Sequence, residues 1–519
     1  MEIYSGNNDY KLYYGNMLDL LEVIDKETID SIITDPPYEL NFMSKNWDNA
    51  GVSFQVDTWK KCYEVLKPGG YLLAFGGSRT FHRIACAIED AGFEIRDTIM
   101  WLYGSGFPKS MDISKQIDKK GGNDYSKQFA KDLKEARESR NLTMKYCDDK
   151  YCNGSTNWSW YEGRKDGCRV PNYQTYLEII KEFPELGKYR ELIKEAEREV
   201  IGIKKNVGCF DNTNHYTIGG TTHNDYDITA PSTDLAKQWQ GWGTALKPSF
   251  EPIIVARKPF KGSLVDNVIK NGVGGINIDE CRVEPTNEVL SRKINSSNNE
   301  IYGKYNNFGN ENNISDKLGR FPANTILTYD ETDFDEVCGG FPNTKTGNIK
   351  PYKRNMKNQI CYGNLGKNVT SNHIGDSGSA SRYFYNAKAS KKDRDEGLDT
   401  FNQEKVNDGR QTPIDNPFQR GETPRRNVHP TVKPTNLMQY LVRLVTPNNG
   451  IILDPFNGSG STGKAVMYEN KERNKNYKYI GIELTEEYLP VSKARIEYVC
   501  KLAEEEKNKE RQLSIYDLQ

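Results

Sequence analysis

The chain has 519 residues, more than one compact core usually holds, so two to four modules are expected. Its 71 Lys and Arg residues nearly balance its 72 Asp and Glu residues, and the formal net charge of −1 neither favours nor excludes a nucleic-acid partner. No apolar run approaches the roughly 20 residues that cross a bilayer, the N-terminus lacks a signal core, and ten scattered cysteines are typical of reduced thiols. A soluble, cytoplasmic protein without a disulfide framework is therefore predicted.

The first distinctive element is a tetrapeptide that directly follows a predicted buried strand. Residues 29–34 read Ile-Asp-Ser-Ile-Ile-Thr, and Asp35, Pro36, Pro37 and Tyr38 come next. In an open α/β sheet, ligands bind at the carboxyl ends of the strands. The Asp35 carboxylate and the Pro36 carbonyl can together accept two hydrogen bonds from an amino group, the prolines stiffen the turn, and Tyr38 offers a flat face to an extruded base. An ordinary turn after a strand is the alternative.

Strands and helices then alternate along the chain. A helix is predicted at 59–65, a turn and a buried strand at 66–75, a helix at 81–91 and a strand at 95–102. This alternation is typical of an α/β fold with a doubly wound, mostly parallel sheet. The last of these strands has its expected hairpin partner at 249–257, so the residues between the two form a large insertion.

The insertion contains segments with helical periodicity. Helices are predicted at 129–140 and 173–183, a charged and solvated helix at 191–200, and an irregular stretch at 147–152. Residues 157–163, in which a glutamate-glycine pair ends a helix, resemble part of a degenerate repressor-type helix-turn-helix. Such a module can read DNA bases or serve only as a spacer.

Residues 263–425 form a candidate target-recognition region. Turn-rich strand edges are predicted at 272–279 and 319–324. Between Lys345 and Lys392 there are ten Lys or Arg residues and one acidic residue, and this local charge of +9 indicates a phosphate-facing surface, although a solvated loop has the same composition. Aromatic residues between the charges suit base stacking. The candidate DNA-contacting residues are Lys353, Arg354, Lys357, Arg382 and Lys388.

A glycine-rich loop follows another predicted strand near the C-terminus. Residues 450–463 read Gly-Ile-Ile-Leu-Asp-Pro-Phe-Asn-Gly-Ser-Gly-Ser-Thr-Gly, so the strand ends at Asp454 and the loop opens a helix. Gly458 and Gly460 let the backbone approach a ligand closely, and the helix N-terminus favours a carboxylate. The next strand ends in Glu483, which is placed to hold ribose hydroxyls. The spacing fits neither a dinucleotide fingerprint nor a P-loop, which favours a nucleoside without phosphate.

Together the two motifs resemble those of the amino-methyltransferases, which modify DNA on N6 of adenine or N4 of cytosine with S-adenosylmethionine as cofactor. The catalytic motif precedes the cofactor motif, and this is similar to the β-type order, with a target-recognition region between them. Residues 429–434, His-Pro-Thr-Val-Lys-Pro, and the predicted helix at 437–446 resemble the segment that precedes the cofactor loop in that class. The resemblance covers roughly residues 10–109, 240–285 and 425–500.

The resemblance implies a role for each matching residue. Asp35, Pro36, Pro37 and Tyr38 would hold the target base for direct in-line transfer, and a sulfonium-activated methyl group requires neither a metal nor a covalent intermediate. Where many relatives carry Gly-Asp, this chain has Gly15-Asn16, and the Asn16 amide can still make a contact. The residues expected to hold S-adenosylmethionine are Asn16, Met17, Asp35, Lys433, Asp454, Phe456, Asn457, Gly458, Ser459, Gly460, Thr462 and Glu483.

The resemblance also favours a substrate. Relatives that act on cytosine N4 often carry Ser at the position of Asp35, relatives that act on glutamine usually carry Asn, and those that act on adenine N6 usually carry Asp. The chain is therefore predicted to be a site-specific adenine methyltransferase of duplex DNA, in a bacterium or a phage-infected bacterium, either paired with a restriction enzyme or as an orphan methylase. An N4-cytosine enzyme is the alternative, followed by an RNA methyltransferase and a non-enzymatic DNA-binding regulator.

The predicted organisation has six segments: 1–109 as the catalytic half of the methyltransferase domain, 110–235 as the helical insertion, 236–262 as the return strand, 263–425 as the target-recognition region, 426–505 as the cofactor half and 506–519 as a tail. In the tail, the sequence from Gln512 to Tyr516 resembles the short peptide by which bacterial proteins dock on the replication sliding clamp; a frayed amphipathic tail is the alternative. No metal site is expected, because Cys147, Cys152 and Cys168 lack a fourth ligand at suitable spacing.

Overall fold

The computed structural model describes residues 3–39, 51–103, 110–120, 125–154, 157–163, 168–204, 226–283, 319–328, 343–345, 352–353, 368–369, 377–379, 384–386, 391–405 and 424–516. The chain divides into two compact units. The first, called the sheet unit, comprises Met1–Ser105, Ser249–Gly409 and Thr423–Gln519. The second, called the insertion unit, comprises Gly106–Pro248 together with Arg410–Glu422, and the latter range lies outside the described residues.

The sheet unit is built on one sheet in which ten strands are described. In chain order they are β1 (Ile3–Gly6), β2 (Tyr10–Tyr14), β3 (Ile29–Thr34), β4 (Leu66–Phe75), β5 (Glu94–Tyr103), β6 (Phe250–Arg257), β7 (Thr325–Thr328), β8 (Tyr385–Asn386), β9 (Ile451–Asp454) and β10 (Lys478–Glu483). Their order across the sheet is β1-β2-β10-β9-β3-β4-β6-β5-β7-β8. Only β1 and β6 run antiparallel to their neighbours, so the sheet is mostly parallel.

Helices cover both faces of this sheet. Those described in the sheet unit are α1 (Met17–Leu21), α2 (Val56–Val65), α3 (Phe81–Asp90), α4 (Leu264–Asn271), α5 (Lys391–Asp395), α6 (Thr435–Val445), α7 (Ser461–Arg473) and α8 (Leu489–Tyr516). Successive strand residues point to opposite faces. Ile32 and Leu72 therefore pack with α1, α2 and α3, whereas Ile33 and Leu73 pack with α6, α7 and α8. The predicted doubly wound α/β fold is confirmed.

One predicted turn is part of a strand. The sequence at 66–70 predicts a turn before a strand, but β4 already begins at Leu66. Leu66 pairs with Ile29 and Tyr71 pairs with Ser31, so five steps along β4 match two steps along β3. The extra residues bulge out of the ladder, and Gly69 accommodates this with a φ of +87°. The Pro-Gly-Gly signal thus encodes a bulge. The predicted hairpin partner of β5 is confirmed as β6.

The insertion unit is mainly helical. Its described helices are Ile113–Lys119, Ser126–Ser139, Met144–Tyr151, Trp158–Tyr161, Tyr173–Glu182, Arg190–Glu195 and Asp234–Gln238, and the strands Val200–Lys204 and Tyr226–Thr229 form an antiparallel pair. The predicted helices at 129–140 and 173–183 are confirmed. The prediction of an irregular stretch at 147–152 was wrong, because the Thr143 hydroxyl caps a helix that continues to Tyr151. The predicted helix at 191–200 was wrong in its second half, where the chain turns and enters a strand.

A buried ion pair joins the helices of the predicted helix-turn-helix. Arg137 donates to both oxygens of Glu162, at 2.5 and 3.1 Å, and Trp158 Nε1 donates to the same carboxylate at 2.5 Å. Glu162 directly follows the helix Trp158–Tyr161, and Gly163 leaves it with a φ of +84°. The glutamate-glycine pair therefore ends a helix as predicted, and the glutamate is a core residue. Contact of this module with DNA stays a prediction.

The boundary of the insertion differs from its prediction. Residues 236–248, assigned from sequence to the return strand, belong to the insertion unit. Asp118 explains this, because its buried carboxylate accepts the backbone N–H groups of Ser232 and Thr233, at 3.1 and 3.2 Å, and so ties the start of Asp234–Gln238 to the helix Ile113–Lys119. The cysteines Cys147, Cys152 and Cys168 are buried. Within the described residues, no group of three or more His, Cys, Asp or Glu side chains could hold a metal ion.

The predicted target-recognition region is partly built into the sheet unit. It contributes β7 and β8, the last two strands on one side of the sheet. The prediction of a strand at 272–279 was wrong, since the described chain there has no strand. Short strand pairs join Asn343–Lys345 to Ser377–Ser379, Tyr352–Lys353 to Asn368–Val369, and Glu404–Lys405 to Pro424–Arg425. Of the candidate DNA contacts, Lys353 lies in one of these pairs with its side chain outside the described part, and Arg354, Lys357, Arg382 and Lys388 lie outside the described residues.

The tail prediction concerns residues at the end of α8. The backbone from Gln512 to Tyr516 continues this helix, and its side chains lie outside the described part of the chain. Among the described residues, no helix combines the length and the apolar character that crossing a membrane requires.

Candidate active site

The two sequence motifs meet at the carboxyl ends of two neighbouring central strands. Strands β3 and β9 are parallel neighbours, paired at residues 31–32 and 452–453, so their carboxyl ends lie side by side. Asp35 follows β3 and Asp454 ends β9. The Thr34 hydroxyl donates to Asp454 Oδ1 at 2.6 Å and links the two ends directly. Segments more than 400 residues apart in the chain thus form one site.

Asp454, at the carboxyl end of β9, is buried and accepts three hydrogen bonds. Its Oδ1 accepts from the Thr34 hydroxyl and from the Phe456 N–H at 3.1 Å, and its Oδ2 accepts from the Thr462 hydroxyl at 2.6 Å. Burial raises the pKa of Asp454 to about 7, although these hydrogen bonds act in the opposite direction. Asp454 and Thr462, both predicted to hold the cofactor, therefore also fix the strand-to-loop turn.

The glycines of the loop are needed for close packing within the protein. Gly458 and Gly460 have φ values of +52° and +73°, in the left-handed region that glycine adopts readily. A Cβ at Gly458 would lie 2.9 Å from His429 Nε2, and a Cβ at Gly460 would lie 2.5 Å from Ser492 Oγ. The sequence predicted close approach to a ligand; the close neighbours that the structure shows are atoms of His429 and Ser492.

Buried side chains brace the loop from below. Asn457 donates from Nδ2 to Ser492 Oγ at 2.9 Å and accepts the Tyr479 hydroxyl at Oδ1 at 2.7 Å. Arg495, which is fully buried on α8, donates to the carbonyl and the hydroxyl oxygens of Ser459, at 2.7 and 3.0 Å. Both functional groups of the Asn457 side chain are thus occupied within the protein. Its contact with a cofactor, and that of Ser459, stay predictions.

Glu483 closes the site on the side of β10. Its Oε2 accepts the Gly458 N–H at 2.6 Å and its Oε1 accepts the Thr485 N–H at 2.8 Å. Burial raises the pKa of Glu483, although the hydrogen bonds from these backbone groups lower it. Each carboxylate oxygen retains a lone pair, so the group can still accept hydroxyl donors.

The turn that contains Asn16 lies next to Glu483. The Gly15 N–H donates to the Glu483 carbonyl at 2.9 Å. The Asn16 side chain caps α1 by accepting the Leu18 N–H at 3.0 Å, and Met17 is buried against the sheet. The position of this turn agrees with a neighbouring ligand, but the side chains of Asn16 and Met17 have structural roles.

A partly open cleft lies between these elements. Eight of the predicted site residues line it, namely Asp35, Lys433, Asp454, Phe456, Asn457, Gly458, Ser459 and Thr462. His429, Thr431, Met438 and Ser461 line it as well. Asn16, Met17, Pro36, Pro37, Tyr38, Gly460 and Glu483 are not among the lining residues.

The carboxylates of Asp35 and Glu251 and the ammonium group of Lys433 form the polar centre of the site. Lys433 Nζ donates to Asp35 Oδ2 at 2.6 Å and lies 3.4 Å from Glu251 Oε2. The Lys433 side chain is only 8% exposed, and its ammonium lies 5.0 Å from the centre of the Phe75 ring. Burial lowers the pKa of Lys433, but the charges of Asp35 and Glu251 outweigh it and raise that pKa above its ordinary value. Lys433 is thus a buried cation at neutral pH.

Tyr38 is anchored through its hydroxyl. It donates to Glu251 Oε2 at 2.7 Å, and its ring centre lies 5.3 Å from Lys433 Nζ. Burial and the negative charges of Asp35 and Glu251 raise the pKa of Tyr38 well above its ordinary value, so the phenol stays neutral. One face of the ring is therefore engaged with the lysine, and stacking of a base on the ring stays a prediction.

Sequence reasoning missed two polar residues of this site. Glu251 opens the apolar strand β6, and an acid at the start of a buried strand was the available signal. Arg495 gave no signal, because it lies in a helix rich in charged residues. Together these residues can hold an amine at Asp35 beside the cleft.

Comparisons with known proteins identify the family to which the chain belongs. A family model described as DNA methylase matches residues 29–494. The type II methyltransferase M.HpaI of Haemophilus parainfluenzae is 32% identical over 116 residues, which cover 21% of this chain and 37% of that protein. The DNA adenine methyltransferase YhdJ of Escherichia coli (strain K12) is 32% identical over 78 residues, which cover 15% of this chain and 24% of that protein.

One solved structure, the PvuII DNA methyltransferase (cytosine-N4-specific), is 12% identical with a TM-score of 0.34, covering 97% of this chain and 95% of that chain. The chain spans less than two fifths of the length of the two curated relatives described above. The family match, by contrast, extends over nearly the whole chain and includes both motifs of the cleft. The chain belongs to the DNA methylase family whose members modify N6 or N4 amino groups.

Proposed function

We propose that this protein transfers a methyl group from S-adenosylmethionine to N6 of an adenine in duplex DNA, at a specific sequence. The observation that carries the proposal is the meeting of Asp35 and the glycine-rich loop around one cleft. The family is S-adenosylmethionine-dependent, and it acts on DNA amino groups. A regulator without activity has no need for both motifs in one cleft.

The residues around the cleft fit this cofactor. Helix α7 begins at Ser461 without a side-chain cap, so its first N–H groups can receive the carboxylate of the methionine part. Glu483 would accept the ribose hydroxyls, and the half-buried ring of Phe456 offers a flat wall for the adenine part. The cofactor supplies a methyl group that its sulfonium charge activates.

Asp35 is the proposed acceptor for the target amine. Its Oδ2 is held by Lys433, whereas its Oδ1 is buried and has no hydrogen-bond partner among the described residues. A buried acceptor without a donor is costly, and a substrate amine would satisfy it. Asp35 and the Pro36 carbonyl would orient the nitrogen lone pair toward the methyl group. Asp35 is also the proposed acceptor of the proton that the nitrogen loses, which then passes to solvent.

Adenine is the preferred target for two reasons. The family resemblance associates Asp at position 35 with N6 of adenine, and the relative YhdJ is described as a DNA adenine methyltransferase. N4 of cytosine is the second candidate, because the family modifies both amino groups. Duplex DNA is the proposed partner, since the stretch from Lys345 to Lys392 carries a net charge of +9. A bacterial cytoplasm is the corresponding proposed location.

The test is transfer of tritiated methyl groups from S-adenosylmethionine to unmethylated bacterial genomic DNA. The DNA is then digested to nucleosides, and the label is identified by chromatography. We expect label in N6-methyldeoxyadenosine and none above background in total bacterial RNA treated in the same way. Label in N4-methyldeoxycytidine would replace the adenine assignment, and label in RNA alone would refute the proposed substrate. Sequencing the modified positions then gives the recognition sequence.

A further inference from the structure

Glu251 lies at the centre of a hydrogen-bonded chain that leads to Asp35. Its Oε2 accepts the Tyr38 hydroxyl at 2.7 Å and faces Lys433 Nζ at 3.4 Å. Its Oε1 accepts the Tyr103 hydroxyl at 3.4 Å. Lys433 in turn donates to Asp35 Oδ2 at 2.6 Å. Two phenols therefore fix the Glu251 carboxylate, which fixes the lysine, which fixes the aspartate.

The surroundings of Lys433 make it dependent on Glu251. The side chain of Lys433 is 8% exposed, and its ammonium lies above the rings of Tyr38 and Phe75. A buried ammonium is costly unless carboxylates and hydrogen bonds compensate it. The contacts described for Lys433 offer two carboxylates, Asp35 and Glu251. Without Glu251, the lysine would have one carboxylate to satisfy its three donors.

From these contacts we infer that Glu251 is a positioning residue for methyl transfer, acting through Lys433 on the Asp35 carboxylate. With Lys433 held between both carboxylates, Asp35 Oδ2 is occupied and Oδ1 remains for the substrate amine. Glu251 itself does not line the cleft, so it is not expected to touch cofactor. The inference rests on the proposed function, because it takes the substrate amine to bind at Asp35.

A positioning role predicts a loss in the chemical step at unchanged cofactor affinity. Misplacing a reacting group by about 1 Å can cost about a hundredfold in rate. We therefore expect Glu251→Ala to reduce the single-turnover rate about 100-fold and Glu251→Gln, which keeps an oxygen acceptor, about 10-fold. The dissociation constant for S-adenosylmethionine, measured by calorimetry, should stay within about twofold of the wild-type value in both variants.

The matched control is Glu94→Ala on the neighbouring strand β5. Glu94 also bonds a cation, Arg257, at 2.8 Å, but its side chain is 44% exposed and it belongs to neither the cleft nor this hydrogen-bonded chain. Exposed ion pairs contribute little, so this variant should keep the wild-type rate within about twofold. A general effect of losing a glutamate from the sheet would slow both variants equally.

A double-mutant cycle separates positioning through Lys433 from a merely structural role. Lys433→Met should slow transfer strongly, and adding Glu251→Gln to it should cost less than about a further twofold. An equal cost of Glu251→Gln in both backgrounds would overturn the inference. So would a Glu251→Ala rate within twofold of wild type, or Glu251 variants that lose cofactor binding in proportion to rate.

The experiment uses the full chain, unmethylated bacterial genomic DNA and tritiated S-adenosylmethionine. If Glu251→Ala fails to fold, the near-isosteric Glu251→Gln variant and the cycle still decide. An active wild-type protein with unaffected Glu251 variants refutes the inference alone. A wild-type protein that transfers no methyl group to DNA refutes the proposed function, and the inference with it.

Discussion

Replacing Gly460 by alanine should weaken cofactor binding. Gly460 precedes α7 with a φ of +73°, and a Cβ there would lie 2.5 Å from Ser492 Oγ and 3.1 Å from the Ser492 Cα. Because one of these neighbours is backbone, rotation of the Ser492 side chain cannot remove the whole conflict. Ser492 Oγ also accepts a hydrogen bond from Asn457, which lines the cleft.

The size of the effect follows from these contacts. A left-handed backbone costs an alanine roughly 1–2 kcal/mol. Displacing Ser492 breaks its bond to Asn457, which contributes about 1 kcal/mol. In the Gly460→Ala variant the free loop is expected to relax out of the observed conformation, and cofactor binding must restore it. About 2–3 kcal/mol is then lost from the binding free energy, which corresponds to roughly 30- to 150-fold in the dissociation constant.

Calorimetry with S-adenosylmethionine measures this loss directly. The control is Gly275→Ala, because Gly275 has no positive φ and a Cβ there would meet nothing within 4 Å. Thermal melting of both variants shows whether the fold is retained. A Gly460→Ala dissociation constant within twofold of the wild-type and Gly275→Ala values would refute the packing role assigned to this glycine.

Three further predictions concern other parts of the chain. Burial raises the pKa of Asp454 to about 7, so the folded state holds a proton that the unfolded state has lost. As the pH rises from about 4 to 7, wild type should therefore lose on the order of 2–4 kcal/mol of stability relative to Asp454→Asn in melting experiments. Parallel pH profiles of the two proteins would contradict this. Glu162→Ala leaves the buried Arg137 with the exposed Glu138, at 3.3 Å, as its remaining described charged partner, and it removes the acceptor of Trp158 Nε1. This should cost about 3–5 kcal/mol and selectively expose amides of 126–154 and 157–162 to hydrogen exchange, and protection equal to wild type would contradict it. Docking of the sequence from Gln512 to Tyr516 on a bacterial sliding clamp stays a prediction: if the peptide docks there, deleting residues 512–519 abolishes clamp binding in surface plasmon resonance, and unchanged binding would end that hypothesis.

Much of the sheet was predictable because its signals are local. The strand at 29–34 carries three isoleucines and is followed by Asp35 and two prolines, and its predicted limits match those of β3. The bulge at Gly69 was not predictable, because Pro-Gly-Gly also suits a turn and only pairing with β3 distinguishes the two. The boundary near 236–248 depends on Asp118, a tertiary contact over more than 110 residues.

The site was predictable where chemistry and spacing coincide. Asp35 and the loop from Asp454 to Thr462 carry sequence patterns, and the adjacency of β3 and β9 brings them together as predicted. The hydrogen bond of Asn457 to Ser492, and the close contact with Ser492 that requires glycine at 460, can be seen only in the folded structure. Glu251 carries a weak sequence signal, an acid near the start of an apolar strand, but its contacts with Tyr38 and Lys433 come from the fold and could not be assigned from spacing.

The most direct test of the proposed chemistry is the Asp35→Ala variant. Lys433 keeps Glu251 as a partner at 3.4 Å, so the buried ammonium retains one carboxylate when Asp35 is removed. We expect S-adenosylmethionine binding to be retained, while the single-turnover rate of methyl transfer to DNA falls at least about a hundredfold, on the scale of losing a positioned polar group. Near-normal transfer by Asp35→Ala would contradict the assignment of this carboxylate to the target amine.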